Sequence, residues 1–333
     1  MALYPRSMAG KPPSSYKENG WERDPGARMN VTEASREQAR HRPGILSRLL
    51  DFLVYGANSE PGGRRIPFYR HTIFVRIAHW LNAGVLLVML MSGLQIFNAH
   101  PALYWGSQSD FAHPLLSLSA WQNSAGQAVK GVTQIGHWQF DTTGLLGASR
   151  LDGAMVARGF PAWATLPGPQ WLAMGRVWHF FFAWLFVING AIFAAYALLR
   201  GHIRDLTPTA HDVRDLPHEI AEHVKLHFPE GEAAKRYNAL QKLAYFTVIF
   251  ILGPLVVLTG LTMSPTMDAA FPFLPWIFGG RQSARTIHFI CAFSFVIFFL
   301  IHIAMVVLSG TWNNLRSMIT GRYFIGPKED AHA

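Results

Sequence analysis

The sequence predicts an all-α integral membrane protein: a four-helix transmembrane bundle with a long folded extracytoplasmic loop. Two observations carry this. Four apolar runs have membrane-crossing length, and histidines sit inside those runs at two matched depths. Half of the 333 residues are hydrophobic, only 15% are charged, and 24 Phe with 11 Trp make the chain aromatic. That composition excludes a disordered or collagen-like chain and a protein that coats nucleic acid. The single cysteine, Cys291, excludes an intrachain disulfide framework, a thiolate-held iron–sulfur cluster, a four-cysteine zinc site and a c-type haem attachment.

Residues 1–65 mix Pro, Gly and Ser with many charges, lack apolar periodicity, and are expected to form a disordered cytoplasmic N-terminal arm with no cleavable signal peptide. The first apolar run, Ile77 to Phe97, lies in a span placed at 73–97. Residues 98–172 follow, rich in Trp, Gly and Pro, too long for a turn and too aromatic for disorder, so a folded extracytoplasmic segment is expected. The second run is 177–199. A polar cytoplasmic loop, 200–242, then carries His202, His211, His218, His223 and His227. The third run, 243–263, contains Pro254, which is expected to kink the helix without ending it. The fourth is 287–308. Each run reaches about the 20 residues that a helix needs to cross a bilayer, and none contains Asp or Glu. Residues 66–325 thus form one transmembrane domain, with 326–333 as a tail.

Orientation follows from Lys and Arg, which stay in cytoplasmic loops. Four spans put both termini on one side. With the N-terminus inside, 22 basic residues in the termini and the 200–242 loop face five on the other side: Lys130, Arg150, Arg158, Arg281 and Arg285. Both termini are therefore expected in the cytoplasm, and the net charge of +9 is a membrane-topology signal, with no nucleic-acid partner.

Of 15 histidines, four lie within the runs: His79, His179, His288 and His302. An intramembrane imidazole is costly unless it faces the bundle and has a partner. His288 and His302 are 14 residues apart, which is about 21 Å along a helix and close to four turns, so they share one face at two depths. Depth pairs His179 with His288 at the outer level and His79 with His302 at the inner level. Three of the four follow an arginine by three residues: Arg76-x-x-His79, Arg176-x-x-His179 and Arg285-x-x-His288. At that spacing the two side chains share a helix face, so a guanidinium can meet a haem propionate while the imidazole takes the iron. Zinc would want four close protein ligands, and a proton relay would recruit carboxylates that the spans lack. Trp80 and Trp178 either pack against a porphyrin or anchor the interface. Gly84, Gly93, Gly190 and Gly260 either make room for it or let helices pack closely.

With Arg76-x-x-His79-Trp80 in the first helix, Arg176-x-x-His179 in the second, no histidine in the third, and His288 with His302 in the fourth, the chain resembles a known family. These are the four-helix di-haem cytochrome b subunits that anchor bacterial formate dehydrogenases, hydrogenases and thiosulfate-reductase-type molybdoenzymes. The resemblance covers about residues 68–321, and the long outer segment is closest to the thiosulfate-reductase-like branch. It implies a bacterial inner-membrane anchor, not catalytic alone, that passes electrons between a periplasmic molybdopterin oxidoreductase subunit and the quinone pool. It further implies two b haems, held by His179 with His288 and by His79 with His302, and a quinone or quinol site near the inner haem. Asn82, Asn313 and the early part of the 200–242 loop are candidates for that site. A rival reading is a self-sufficient cytochrome b that oxidises superoxide or another small external reductant, with quinone as acceptor. It would be favoured by a basic funnel of Arg176, Arg281 and Arg285, which the bulky outer segment opposes. A third reading, a transporter or channel with structural histidines, predicts no haem.

Overall fold

Long apolar stretches can satisfy their backbone in a bilayer only by closing hydrogen bonds within themselves, so the four runs become helices. The computed structural model describes residues 49–50, 66–168, 170–201, 203–225 and 238–325. The expected N-terminal arm, apart from Leu49 and Leu50, lies outside the described residues, as do the tail 326–333, His202 and His227. Among the described residues four helices are long and apolar enough to cross a membrane: Ile73–Phe97, Leu172–Leu199, Ala239–Thr262 and Arg281–Leu308.

Strand β1, Ile66–Tyr69, leads into α1, Ile73–Phe97, whose first turn is capped by Thr72 accepting from the Val75 amide. Helix α2 is Leu172–Leu199. Short α3, Ile203–Leu206, and polar α4, Ala210–Val224, follow it. The third membrane-length stretch is composite. Helix α5, Ala239–Phe246, passes through a π-helical turn, Thr247–Leu252, into α6, Gly253–Thr262, with Pro254 in its first turn. Proline has no N–H to give and its ring crowds the carbonyl four residues back, so the register slips by a residue and the helix continues. Helices α7, Pro265–Ala270, and α8, Phe273–Ile277, lead to α9, Arg281–Leu308. Amphipathic α10, Thr311–Thr320, and β8, Arg322–Ile325, close the described chain. Helices α2 and α9 begin before their apolar runs because the turns carrying Arg176, Arg281 and Arg285 stay helical where the hydrophobic signal has faded.

The all-α expectation fails at both ends of the bundle. In the loop, β2 (Ala102–Leu103), β3 (Leu116–Gln122), β4 (Ala128–Ile135) and β5 (Trp138–Asp141) form an antiparallel sheet in the order β2-β3-β4-β5. Strands β6 (Ala148–Leu151) and β7 (Ala154–Ala157) make a separate hairpin. Its two-residue turn is Asp152-Gly153, with φ of 51° and 85°. Two consecutive positive φ values are what a type I′ turn requires, and Asp-Gly supplies them at little steric cost. At the opposite end β1 pairs antiparallel with β8, which joins the approach to α1 to the exit of α10 on one side of the bundle.

Close helix packing lies within two hairpins, α1 with α2 and α6 with α9. Without a hydrophobic drive between helices in lipid, small side chains that let backbones approach take its place. A Cβ at Gly175 of α2 would meet Gln95 of α1 at 2.9 Å, and Thr259, Thr262 and Ser283 are fully buried in the second hairpin. The loop is bolted to the helices. Phe97, Leu103, Leu118 and Phe160 form a buried cluster against Phe289 and Phe293 of α9. Asn98 holds both polar groups of Phe160, accepting from its amide at 2.6 Å and donating to its carbonyl at 3.2 Å. Thr286 donates to the Tyr104 carbonyl at 2.6 Å, and Ser283 accepts from the Gly106 amide at 2.7 Å. These contacts fix the first turns of α9, where His288 stands.

Candidate functional site

The four intramembrane histidines meet in two pairs. At the loop end, His179 of α2 and His288 of α9 have ring centroids 6.2 Å apart. At the terminal end, next to β1 and β8, His79 of α1 and His302 of α9 are also 6.2 Å apart. Each pair joins one helix hairpin to the other, with α9 contributing to both through its 14-residue spacing. An imidazole nitrogen sits about 2 Å from a bound metal. Adding roughly 1 Å from that nitrogen to the ring centre on each side gives a separation of about 6 Å, so either gap fits one ion shared by two imidazoles.

Hydrogen bonding fixes the tautomer of the loop-end pair. His179 Nδ1 lies 3.1 Å from the Met89 carbonyl and 3.1 Å from Ser92 Oγ. The Ser92 proton is already given to the Val88 carbonyl at 2.7 Å. His288 Nδ1 lies 2.9 Å from the Val256 carbonyl and 3.2 Å from Thr259 Oγ1, whose proton goes to the Leu255 carbonyl at 2.7 Å. A carbonyl accepts only, so each Nδ1 carries the proton and donates it, leaving Nε2 with its lone pair free to bind a metal. Gly93 and Gly260 make this approach possible, because a Cβ at either would stand 3.3 Å from the Cε1 of His179 or His288. A Cβ at Gly84 or Gly190 would meet nothing within 4 Å, so those two positions border open space.

The terminal-end pair has a different setting. His79 Nδ1 is buried with no hydrogen-bond partner, an orphan that a hydrocarbon surrounding penalises. The ring of His79 meets Trp80 edge-on at 5.3 Å, and His302 stacks on Phe298 at 5.8 Å. Among the described residues no three His, Cys, Asp or Glu side chains converge as a metal-binding group. Two imidazoles per gap suit an ion whose other ligands come from a macrocycle, as in haem b, and do not suit zinc.

The remaining predicted residues divide into groups. Arg76 donates to the Ile319 carbonyl and Trp80 Nε1 to the Met318 carbonyl at 3.1 Å, so both hold the C-terminus of α10 one turn from His79. Arg285 donates to the His100 carbonyl and lies 5.3 Å from the Phe97 ring centre. Arg176 lies over Phe180, and Trp178 stacks on Phe182. Asn82 accepts from Asn189 Nδ2 at 2.8 Å, and the same amide reaches the Ala78 carbonyl at 3.1 Å, which joins α1 to α2. Asn313 is engaged by β8, donating to the Phe324 carbonyl at 2.8 Å and accepting from the Phe324 amide at 3.0 Å. The loop histidines stay apart: His113 pairs with Asp110 at 3.1 Å and His137 lies beside Trp138. Sequence reasoning missed Ser92, Thr259 and the role of Asn189. A signal was present in the hydroxyl–glycine dipeptides Ser92-Gly93 and Thr259-Gly260, one in each helix that faces a loop-end histidine.

Two comparisons place the chain among known proteins. The family described as "Prokaryotic cytochrome b561" matches residues 150–321, just over half of the chain and including His179, His288 and His302. A curated protein of Azospira oryzae, provisionally named as the protein-methionine-sulfoxide reductase subunit YedZ1, is 25% identical over 240 residues, covering 72% of this chain and 90% of that protein.

Proposed function

We propose that this chain, which belongs to the prokaryotic cytochrome b561 family, is a di-haem electron-transfer subunit linking a partner oxidoreductase to the membrane quinone pool. The family carries haem b, and the four membrane-length helices provide its surroundings. The observation that carries the two-haem reading is the repeated 6.2 Å separation of His179 from His288 and of His79 from His302. Each b haem would supply reversible one-electron transfer with no open coordination position. The protein's part is to present Nε2 from opposite hairpins, to exclude water, and to hold the loop-end rings by their Nδ1 protons.

Arg176, which lies over Phe180 one turn from His179, would meet a propionate, whereas Arg76 and Arg285 would have to release the Ile319 and His100 carbonyls to do so. The loop sheet and its hairpin would be the docking platform of a periplasmic molybdopterin oxidoreductase subunit. The Azospira oryzae relative, named as a subunit of a reductase, supports membership of a larger complex. The resemblance to the thiosulfate-reductase-like branch favours the same arrangement. Quinone would react at the terminal-end site, toward α3 and the early 200–242 loop, in a bacterial inner membrane with both chain termini cytoplasmic. The rival reading, an external small reductant reaching the outer site unaided, is disfavoured by the loop. Arg285 of the expected basic funnel is turned onto the His100 carbonyl and the Phe97 ring.

The test uses the purified protein in liposomes, reduced to its b-haem spectrum and mixed with a short-chain quinone. Reoxidation without any partner subunit is expected. A reduced haem that quinone leaves unchanged would remove the quinone assignment, and a protein with no b-type spectrum would remove the whole reading.

A further inference from the structure

The two helix hairpins carry one arrangement twice. In α1 the Met89 carbonyl, the Ser92 hydroxyl and Gly93 face His179. In α6 the Val256 carbonyl, the Thr259 hydroxyl and Gly260 face His288. In both, the carbonyl and hydroxyl are three residues apart and the glycine follows the hydroxyl directly. In both, the hydroxyl spends its own proton on the carbonyl four residues back, at 2.7 Å. Ser and Thr in membrane helices often make that backward bond simply to satisfy themselves. Self-satisfaction does not, however, require the oxygen to face an imidazole nitrogen, and here it does so in both hairpins at 3.1 and 3.2 Å.

We propose that Ser92 and Thr259 are positioning residues that clamp the loop-end imidazoles and lower the midpoint potential of the haem held between them. The inference rests on the reading that His179 and His288 hold a haem. A second acceptor on each Nδ1–H fixes ring rotation and raises the basicity of Nε2, which favours the oxidised iron. The terminal-end pair lacks the device. His79 Nδ1 has no partner, and the His302 ring meets Phe298 and His79. The two haems are therefore inequivalent by construction, and the terminal-end haem is an internal control.

The experiment is a spectroelectrochemical titration of the purified full chain as wild type, Ser92→Ala, Thr259→Val and Thr259→Ser, with His79→Ala identifying the wave of the loop-end haem. Ser92→Ala and Thr259→Val are expected to shift the loop-end midpoint upward and leave the terminal-end midpoint in place, while Thr259→Ser keeps the wild-type value. Loss of the loop-end haem in Thr259→Val but not in Thr259→Ser would equally support the clamp. Wild-type midpoints in Ser92→Ala and Thr259→Val would overturn it. So would equal shifts or equal haem loss in Thr259→Val and Thr259→Ser, or a shift shared by both haems. A wild-type chain without haem waves would overturn the haem reading beneath it, an outcome distinct from all of these.

Discussion

The imidazoles of His179 and His288 stand 6.2 Å apart, and each donates its Nδ1 proton to a carbonyl on the partner helix of its own hairpin. The pair joins the two hairpins where direct backbone packing is sparse. Close packing within each hairpin and the Phe cluster against α9 hold the bundle, so substitutions at the pair are expected to affect haem binding before they affect the fold.

Gly93 and Gly260 set how near the rings can come to the facing helix. Valine at either position places branched carbons where the His179 or His288 Cε1 now rests, 3.3 Å from an ideal Cβ. Gly93→Val and Gly260→Val are expected to cut loop-end haem content by roughly 10-fold or more, the scale seen when outer-shell support of a metal ligand is lost. Haem-to-protein ratio after purification checks this.

Asn313 is buried and satisfies both polar groups of Phe324, and Arg316 donates to its Oδ1 at 3.0 Å. Asn313→Leu leaves those backbone groups without partners, a loss of about 1–3 kcal/mol. Hydrogen exchange at Arg322–Ile325 and at its partner Ile66–Tyr69 is expected to speed up accordingly. If Asn313 instead served chiefly to bind quinone, exchange would stay at wild-type rates while quinone reactivity fell.

On the polar side, Thr209 and Asp212 form a capping box at the start of α4, and Asp212 is joined by Lys242 of α5 at 3.0 Å. Hydrogen bonds from the Thr209 amide and hydroxyl, with Lys242 adding to them, hold the Asp212 carboxyl at about 2, below its ordinary 3.8. The depressed value means that the carboxylate stabilises the fold above pH 3.8 and that this contribution is lost as pH falls toward about 2. Amide protection of Ala210–Val224 is expected to decline across that window. Asp212→Ala is expected to lose about 1 kcal/mol at neutral pH and to flatten the acid dependence.

The four helices were legible in the sequence because twenty apolar residues without a carboxylate have one stable solution in a bilayer. The histidine pairing was legible for a related reason, since a 14-residue spacing leaves two rings on one face of a regular helix. The loop strands were not. They are short, β5 is exposed along its whole length, and β3 and β4 bury only some positions, so the period-two pattern is faint. Asp152-Gly153 and Gly136-His137, each a two-residue link between paired strands, were the readable signals. The bonds of Arg76 and Trp80 to Ile319 and Met318 were not legible either, since they depend on α10, some 240 residues away. Ser92 and Thr259 were hidden because a hydroxyl inside an apolar run is normally self-satisfied, and only the fold shows which way its oxygen faces.

Whether each histidine pair holds one b haem is decided by pyridine haemochrome quantitation with reduced-minus-oxidised spectra of wild type, His79→Ala and His288→Ala. Two haems per wild-type chain are predicted, with His79→Ala losing the terminal-end haem and His288→Ala the loop-end haem. A colourless protein, or haem that survives both substitutions unchanged, would rule out paired haem ligation and return these histidines to a structural or transport role.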